Sequence, residues 1–247
     1  MRQPPPPAVP QLGLPGDSWW LLPASALLFA VTFTVGLLGK LYGSPGPDLD
    51  VDESLIPARS TVLNGIFLTL HYVFSPPGNV AILALACLLL AFVLRKPLTA
   101  LAFGSLVAVG WLSSEIGKLA IARLRPPASA TQALVLEIGS DSFPSGHTAF
   151  ATAFVWGAIL VLASSRRQRI ICGLAGAAFV AVVAFSRLYL GVHYPSDVLG
   201  AILISTAGIL FWLPLWNKLI EPRLRTVSLL ARMSHSQQGR HQRGVRR

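Results

Sequence analysis

Long runs without a charged residue dominate the hydrophobic pattern of this chain. The clearest of them are 17 residues or longer and cover 18–39, 97–114, 148–165, 170–186 and 198–217. A helix of about 20 mostly apolar residues crosses the hydrocarbon core of a bilayer, so these runs predict five membrane spans. Pro and Gly residues around 75–79 interrupt the uncharged stretch 60–94, and its second part predicts a sixth span.

The pattern therefore predicts an all-α fold, a polytopic membrane protein built as a six-helix transmembrane bundle. Residues 60–74 follow an acidic, Pro-rich segment and predict an interfacial helix between the first two spans. We expect three regions: a Pro-rich flexible N-terminus (1–17), the six-span membrane domain (18–217) and a basic cytoplasmic tail (218–247).

The composition excludes an ordinary soluble domain, because 53% of the 247 residues are hydrophobic and 12% are charged, against about 25% charged in soluble domains. The formal charge of +10 first suggests a nucleic acid partner. However, residues 218–247 hold eight Lys or Arg and one Glu, so most of this charge lies in one tail beside the last span. Such a tail favours anionic lipid headgroups, and no nucleic acid partner is expected.

The distribution of basic residues also predicts the orientation. Placing both termini in the cytoplasm assigns 14 of the 20 Lys and Arg residues to that side, as the positive-inside rule requires. We expect an integral protein of a bacterial plasma membrane, whose last four spans carry three polar clusters at their extracytoplasmic ends.

The first cluster is Lys118 and Arg125, which follow the third predicted span. Seven residues are two helical turns, so both cations can point the same way before Pro126 stops the helix. An alternative is that Lys118 pairs with Glu115 and that Arg125 reaches toward lipid headgroups.

The second cluster is Ser145, Gly146 and His147 at the start of the fourth span. A hydroxyl and free backbone N–H groups at a helix start suit a phosphate or another oxyanion. The alternative is an ordinary helix N-cap beside an interfacial histidine.

The third cluster is Arg187, His193 and Asp197, between the fifth and sixth spans. If a helix begins near His193, then His193 and Asp197 share a face, and the carboxylate can orient the imidazole. The alternative is a surface salt bridge between Arg187 and Asp197.

Together the clusters predict a site for a tetrahedral oxyanion on one membrane face. Cations and a helix N-terminus can stabilise phosphoryl transfer without a metal. One neutral imidazole can attack phosphorus while a second one protonates the leaving oxygen. Asp197 marks His193 as the nucleophile, which leaves His147 as the acid.

The three clusters resemble the signature of type 2 phosphatidic acid phosphatases, the membrane branch of the lipid phosphate phosphatases. Lys118, six residues and Arg125-Pro126 form its first part, and 144–147 (Pro-Ser-Gly-His) form the second. Ser186-Arg187, five residues, His193, three residues and Asp197 complete the eleven signature positions. The motifs cover residues 118–197, and the hydropathy likeness extends over 18–217.

The resemblance implies a metal-independent phosphatase without a cofactor. His193, Asp197 and His147 would be catalytic, and Lys118, Arg125, Ser145, Gly146 and Arg187 would hold phosphate. The substrate would be a lipid phosphomonoester or diphosphate: phosphatidic acid, phosphatidylglycerophosphate or a polyprenyl diphosphate. Soluble vanadium haloperoxidases share the signature, but the apolar spans argue against that branch. The alternative to an enzyme is a non-catalytic lipid binder or transporter.

Overall fold

Helices form all the regular structure in the part of the chain that the computed structural model describes, residues 14–15, 18–43, 46–224 and 226. They are α1 (Leu21–Tyr42), α2 (Pro47–Ser54), α3 (Thr61–Val73), α4 (Pro76–Leu88), α5 (Pro97–Ile121), α6 (Ala128–Thr131), α7 (Gly146–Gly157), α8 (Arg166–Tyr189) and α9 (Pro195–Leu215). The expected all-α fold is confirmed. Most of the predicted N-terminal segment and of the basic tail lies outside the described residues.

Five of the helices are long and apolar enough to cross a membrane. They are Leu21–Tyr42, Pro76–Val93, Pro97–Ile121, Arg166–Tyr189 and Pro195–Leu224. The second and fifth of these ranges include the π-helical turns that continue α4 and α9. Gly146–Leu162, which contains α7, is a shorter apolar helix, as is α3. The chain is therefore an integral membrane protein, and every apolar run seen in the sequence lies in a helix.

Local signals explain most helix boundaries. The predicted interruption near 75–79 is a short turn, because Pro76 is the first residue of α4 and Gly78 and Asn79 already belong to that helix. Proline suits the first position of a helix, because an N–H group there would have no hydrogen-bond partner within the helix. The acidic segment before α3 contains α2, a helix that the sequence pattern did not predict, and it too begins with a proline, Pro47.

The α9 helix lies at the centre of the bundle and packs against α1, α5 and α7. Small residues permit this close approach, as is common where membrane helices cross. A Cβ atom on Gly208 of α9 would lie 2.1 Å from the Ser113 hydroxyl of α5. Rings fill the space between α5 and α7, where Trp111 and Phe150 meet edge to face at 5.3 Å.

Backbone hydrogen bonds hold the connections together at one end of the bundle. The Leu134 N–H donates to the Leu190 carbonyl at 3.0 Å, and the Ser145 N–H donates to the Asp197 carbonyl at 3.2 Å. The long segment between α5 and α7 is thereby attached to the short connection between α8 and α9 and to the first turn of α9. This end of the bundle gathers the polar residues of all three motifs.

Asp52 of α2 is a buried carboxylic acid near this end. Its side-chain oxygens are buried, and neither has a hydrogen-bond partner within the described residues. Burial, followed by the charges of Asp197 and Asp48, raises the pKa of Asp52 from 3.8 to about 8, although Arg123 acts in the opposite direction. The neutral acid is therefore the stable form in the folded protein at neutral pH.

We expect Asp52→Asn to stabilise the protein at alkaline pH. The folded state holds the Asp52 proton more tightly than the unfolded chain, so this group makes the free energy of unfolding fall as pH rises from 3.8 to about 8. Asparagine does not titrate, and the Tm advantage of the variant should grow between pH 5 and pH 8 in detergent. The exposed Asp50→Asn is the control, and a lower Tm for Asp52→Asn at pH 8 would contradict the expectation.

Candidate active site

His193 and Asp197 form a buried pair. Nδ1 of His193 lies 3.3 Å from Oδ2 of Asp197, and the same oxygen accepts from the Tyr194 N–H at 3.0 Å. The sequence allowed a helix that begins near His193, but α9 begins at Pro195, so His193 lies in the preceding loop. The contact forms because the first turn of α9 brings the Asp197 side chain back to the loop.

The two nitrogens of His193 have different surroundings. With Nδ1 donating to the carboxylate, Nε2 is the acceptor, and Nη1 of Arg125 lies 3.2 Å from it. Burial, together with the positive charges of Arg125 and Arg187, places the pKa of His193 well below its ordinary value. The imidazole is therefore neutral at neutral pH, with a lone pair on Nε2.

Arg125 and Arg187 are joined by one carboxylate, Glu137. Nη2 of Arg187 donates to Oε1 of Glu137 at 2.6 Å, and Nη1 of Arg125 makes an ion pair with Oε2. Burial acts to raise the pKa of Glu137, but the charges of Arg187 and Arg125 lower it overall, so the group is ionised at neutral pH. Two predicted phosphate ligands thus hold an internal anion.

Lys118 lies at the same site but is not on a common helical face with Arg125. α5 ends at Ile121, and Ala122 takes a left-handed conformation with φ 47°, so the helix stops before it reaches Arg125. The prediction of one continuous helix is therefore wrong. Nζ of Lys118 donates to Glu115 at 2.9 Å, which is the pairing that the sequence left open as an alternative.

The second motif opens α7 as the sequence predicted. Gly146 is the first residue of the helix, and Ser145, fully buried, is its N-cap residue. The His147 ring stacks against His71 of α3 at 5.4 Å between centroids, and its Nε2 lies 3.0 Å from the His71 carbonyl oxygen. His71 also contacts Arg187, with 2.9 Å between Nδ1 and Nη1.

One cavity of about 190 Å³ connects these groups. Among the predicted site residues, its lining includes Lys118, Arg125, Gly146, His147 and His193. Ser145, Arg187 and Asp197 do not line it: Arg187 contacts the lining residues Glu137 and His71, and Asp197 lies behind His193. Phe74, Pro76 and Trp111 give the cavity an apolar side. The surface salt bridge between Arg187 and Asp197, which the sequence left open as an alternative, is not formed, because each residue is buried with another partner.

Sequence reasoning missed three charged or polar residues of the site. Arg123 contacts Asp197, Glu137 joins the two arginines, and His71 stacks on His147. Arg123 lies inside the first motif, Glu137 lies between the first and second motifs, and His71 lies in a helix that was expected only at the interface. The signal available in the sequence was the presence of several arginines near apolar spans. Because buried cations require buried anions, these arginines indicated that acidic partners such as Glu137 should lie nearby.

The fold and the site define a membrane protein in which buried arginines, carboxylates and histidines surround one cavity. Residues 98–221 match the PAP2 superfamily. An undecaprenyl-diphosphatase of Sulfolobus acidocaldarius is 30% identical over 198 residues, which cover 76% of this chain and 86% of that protein. A crystal structure of a transmembrane PAP2-type phosphatidylglycerolphosphate phosphatase from Bacillus subtilis superposes with a TM-score of 0.65, at 20% identity, over 79% of this chain and 96% of that one.

The chain belongs to the PAP2 superfamily. It is a lipid phosphate phosphatase of this family, in agreement with the resemblance carried by the three motifs. The likeness to the Bacillus subtilis structure extends the agreement to the fold of the membrane domain.

We expect Glu137→Gln to bind orthovanadate more tightly than the wild type. The Glu137 carboxylate competes with a bound oxyanion for Arg125 and Arg187, and glutamine keeps the shape but removes the charge. The inhibition constant for vanadate should fall by about tenfold, which corresponds to 1.4 kcal/mol. Glu115→Gln, which frees Lys118 at a more exposed position, should have a smaller effect. Weaker inhibition of Glu137→Gln would mean that this carboxylate serves mainly to hold the arginines in place.

Proposed function

We propose that this protein hydrolyses a lipid phosphomonoester or diphosphate through a phosphohistidine intermediate on His193. The observation that carries the proposal is the position of His193 in the wall of the cavity, with Asp197 at Nδ1 and Arg125 at Nε2. A neutral histidine with a fixed tautomer is a suitable nucleophile for phosphorus.

The substrate phosphate would take the place of the Glu137 carboxylate. Its oxygens would then accept hydrogen bonds from Arg125 and Arg187, with Lys118, Ser145 and the Gly146 N–H completing the phosphate-binding group. These donors stabilise the charge on the equatorial oxygens during transfer, which is the main catalytic requirement of phosphoryl transfer.

In the first step, Nε2 of His193 forms a bond to phosphorus and the bond from phosphorus to the lipid oxygen breaks. His147 gives its proton to the leaving oxygen. In the second step, His147 takes a proton from water, the water oxygen attacks phosphorus, and inorganic phosphate leaves His193. Asp197 stabilises the positive charge on the His193 ring between the two steps. The residues of this scheme need no metal or cofactor.

The substrate is proposed to be a phosphatidic acid, a phosphatidylglycerophosphate or a polyprenyl diphosphate. The similar undecaprenyl-diphosphatase sequence supports a polyprenyl diphosphate, and the similar fold of the phosphatidylglycerolphosphate phosphatase supports phosphatidylglycerophosphate. The apolar wall formed by Phe74 and Trp111 can face a lipid chain while the phosphate reaches the cations. The cations recognise the phosphate and not the lipid tail attached to it. The assay below therefore decides which of the three lipids is the substrate.

We also propose six membrane spans, with Gly146–Leu162 as the fourth and α3 as an interfacial helix. Both termini would lie in the cytoplasm and the site on the extracytoplasmic side of a bacterial plasma membrane, as the distribution of basic residues supports. The three-region division remains a proposal: 1–17, the membrane domain 18–217, and a basic tail, 218–247, that binds anionic lipid headgroups.

Purified wild-type protein in detergent and EDTA is expected to release phosphate from at least one of the three lipids. Vanadate should inhibit this release, because it resembles the pentacoordinate state of phosphorus. His193→Ala should remain folded and lose turnover by at least about 1,000-fold. A strict Mg²⁺ requirement, or wild-type-like turnover in His193→Ala, would refute the proposed mechanism.

The topology can be checked with single cysteines in a protein in which Cys87 and Cys172 are serine. Ser140→Cys, in the exposed loop before α7, should react with a membrane-impermeant maleimide in intact cells. Ser164→Cys, at the other end of the same helix, should react only after permeabilisation. The reverse labelling pattern would overturn the proposed orientation.

A further inference from the structure

Arg123 is a buried arginine between two signature residues, Lys118 and Arg125, at a position that the signature leaves open. Its side chain is 3% exposed. It follows the left-handed Ala122, which turns the chain out of α5 and toward the start of α9. The cavity lining does not include Arg123, so this residue is not placed to touch the substrate.

The guanidinium of Arg123 contacts the far side of the His193–Asp197 pair. Its Nη1 donates to Oδ1 of Asp197 at 2.8 Å, while the other oxygen, Oδ2, faces His193 and accepts from Ser142 at 2.5 Å. Arg123 therefore binds Oδ1, the oxygen of the Asp197 carboxylate that does not contact His193. With both oxygens held, the plane of the carboxylate is fixed.

Arg123 is itself held by several groups. Its guanidinium lies over the Tyr194 ring at 3.8 Å and donates to the Ser196 hydroxyl at 2.6 Å and to Asp48 of α2 at 2.8 Å. α1 leaves room for it, since a Cβ atom on Gly39 would lie 2.9 Å from Nη1. These contacts restrict the guanidinium to one position, which a buried side chain used for positioning requires.

We propose that Arg123 is a positioning residue for the phosphatase reaction, acting through Asp197 on His193. Asp197 is fully buried, and a buried carboxylate needs a hydrogen-bonded cation if it is to remain charged. Arg123 supplies that cation, keeps Asp197 oriented toward Nδ1 of His193, and links the site to α2 through Asp48. This role rests on the proposed function, because it requires His193 to be the nucleophile.

The test compares Arg123→Met and Arg123→Lys with the wild type on the lipid that it turns over best. We expect Arg123→Met to lower kcat by about 100-fold, as for a misplaced catalytic group. KM and inhibition by vanadate should change by less than about threefold, because the phosphate-binding residues are intact. Arg123→Lys keeps the charge and should recover part of the lost kcat.

Arg59→Met is the matched control. Arg59 is a half-buried arginine whose hydrogen bonds go to the backbone carbonyls of Thr131, Gln132 and Tyr189. We expect this variant to lose thermal stability while keeping kcat within about threefold of the wild type. A purely structural role for Arg123 would give the same result at both positions.

Each outcome has a separate meaning. Wild-type turnover in His193→Ala would refute the proposed function, and the role of Arg123 with it. An inactive His193→Ala beside a fully active Arg123→Met would refute only the positioning role. If Arg123→Met does not fold, Arg123→Lys decides: a lower kcat at constant KM supports the role, while a wild-type kcat, or a higher KM alone, overturns it.

Discussion

The pairing of buried charges is the interaction on which the rest of this site depends. Arg123, Arg125 and Arg187 have side chains that are 3%, 11% and 0% exposed, at the end of an otherwise apolar bundle. Removing such ions from water costs several kcal/mol each unless anions and hydrogen bonds compensate. Asp197 and Asp48 compensate Arg123, and Glu137 compensates Arg125 and Arg187. Asp141 also pairs with Arg125, at 3.1 Å. These ion pairs connect loops that are distant in sequence, so they hold the polar end of the bundle together much as the apolar contacts of α9 hold its interior.

The same requirement connects the resting site to catalysis. A cavity that binds phosphate with arginines must satisfy those arginines when no phosphate is present, and Glu137 does so with one oxygen for each. In the proposed reaction, a phosphate dianion offers more charge and more oxygens than a carboxylate, so it can replace Glu137. When inorganic phosphate leaves, the carboxylate can return to the arginines. Glu137 would thus weaken substrate binding and assist product release to a similar extent.

Much of the fold could be predicted from the sequence, because a span is a local property of about 20 residues. The end of α5 could not, since an alanine in the left-handed conformation stops the helix at residue 122, and no sequence rule favours alanine there. Each of the three motifs contributes residues to the lining of one cavity, in keeping with their common location at the ends of the spans. Arg123 and Glu137 were missed because their partners lie 74 and 50 residues away in the chain, where local spacing carries no information.

His193 shows why both kinds of information are needed. The spacing of four residues indicated that Asp197 could orient its ring, but only the structure shows that Nε2 faces an arginine of another motif. With a carboxylate at Nδ1 and a guanidinium at Nε2, the ring is neutral, and its lone pair is directed at Arg125. Bonding of that lone pair to phosphorus would make the ring cationic and strengthen its bond to Asp197. The arrangement therefore stabilises charge on the histidine mainly when phosphate is attached, which is the condition for a transient phosphohistidine.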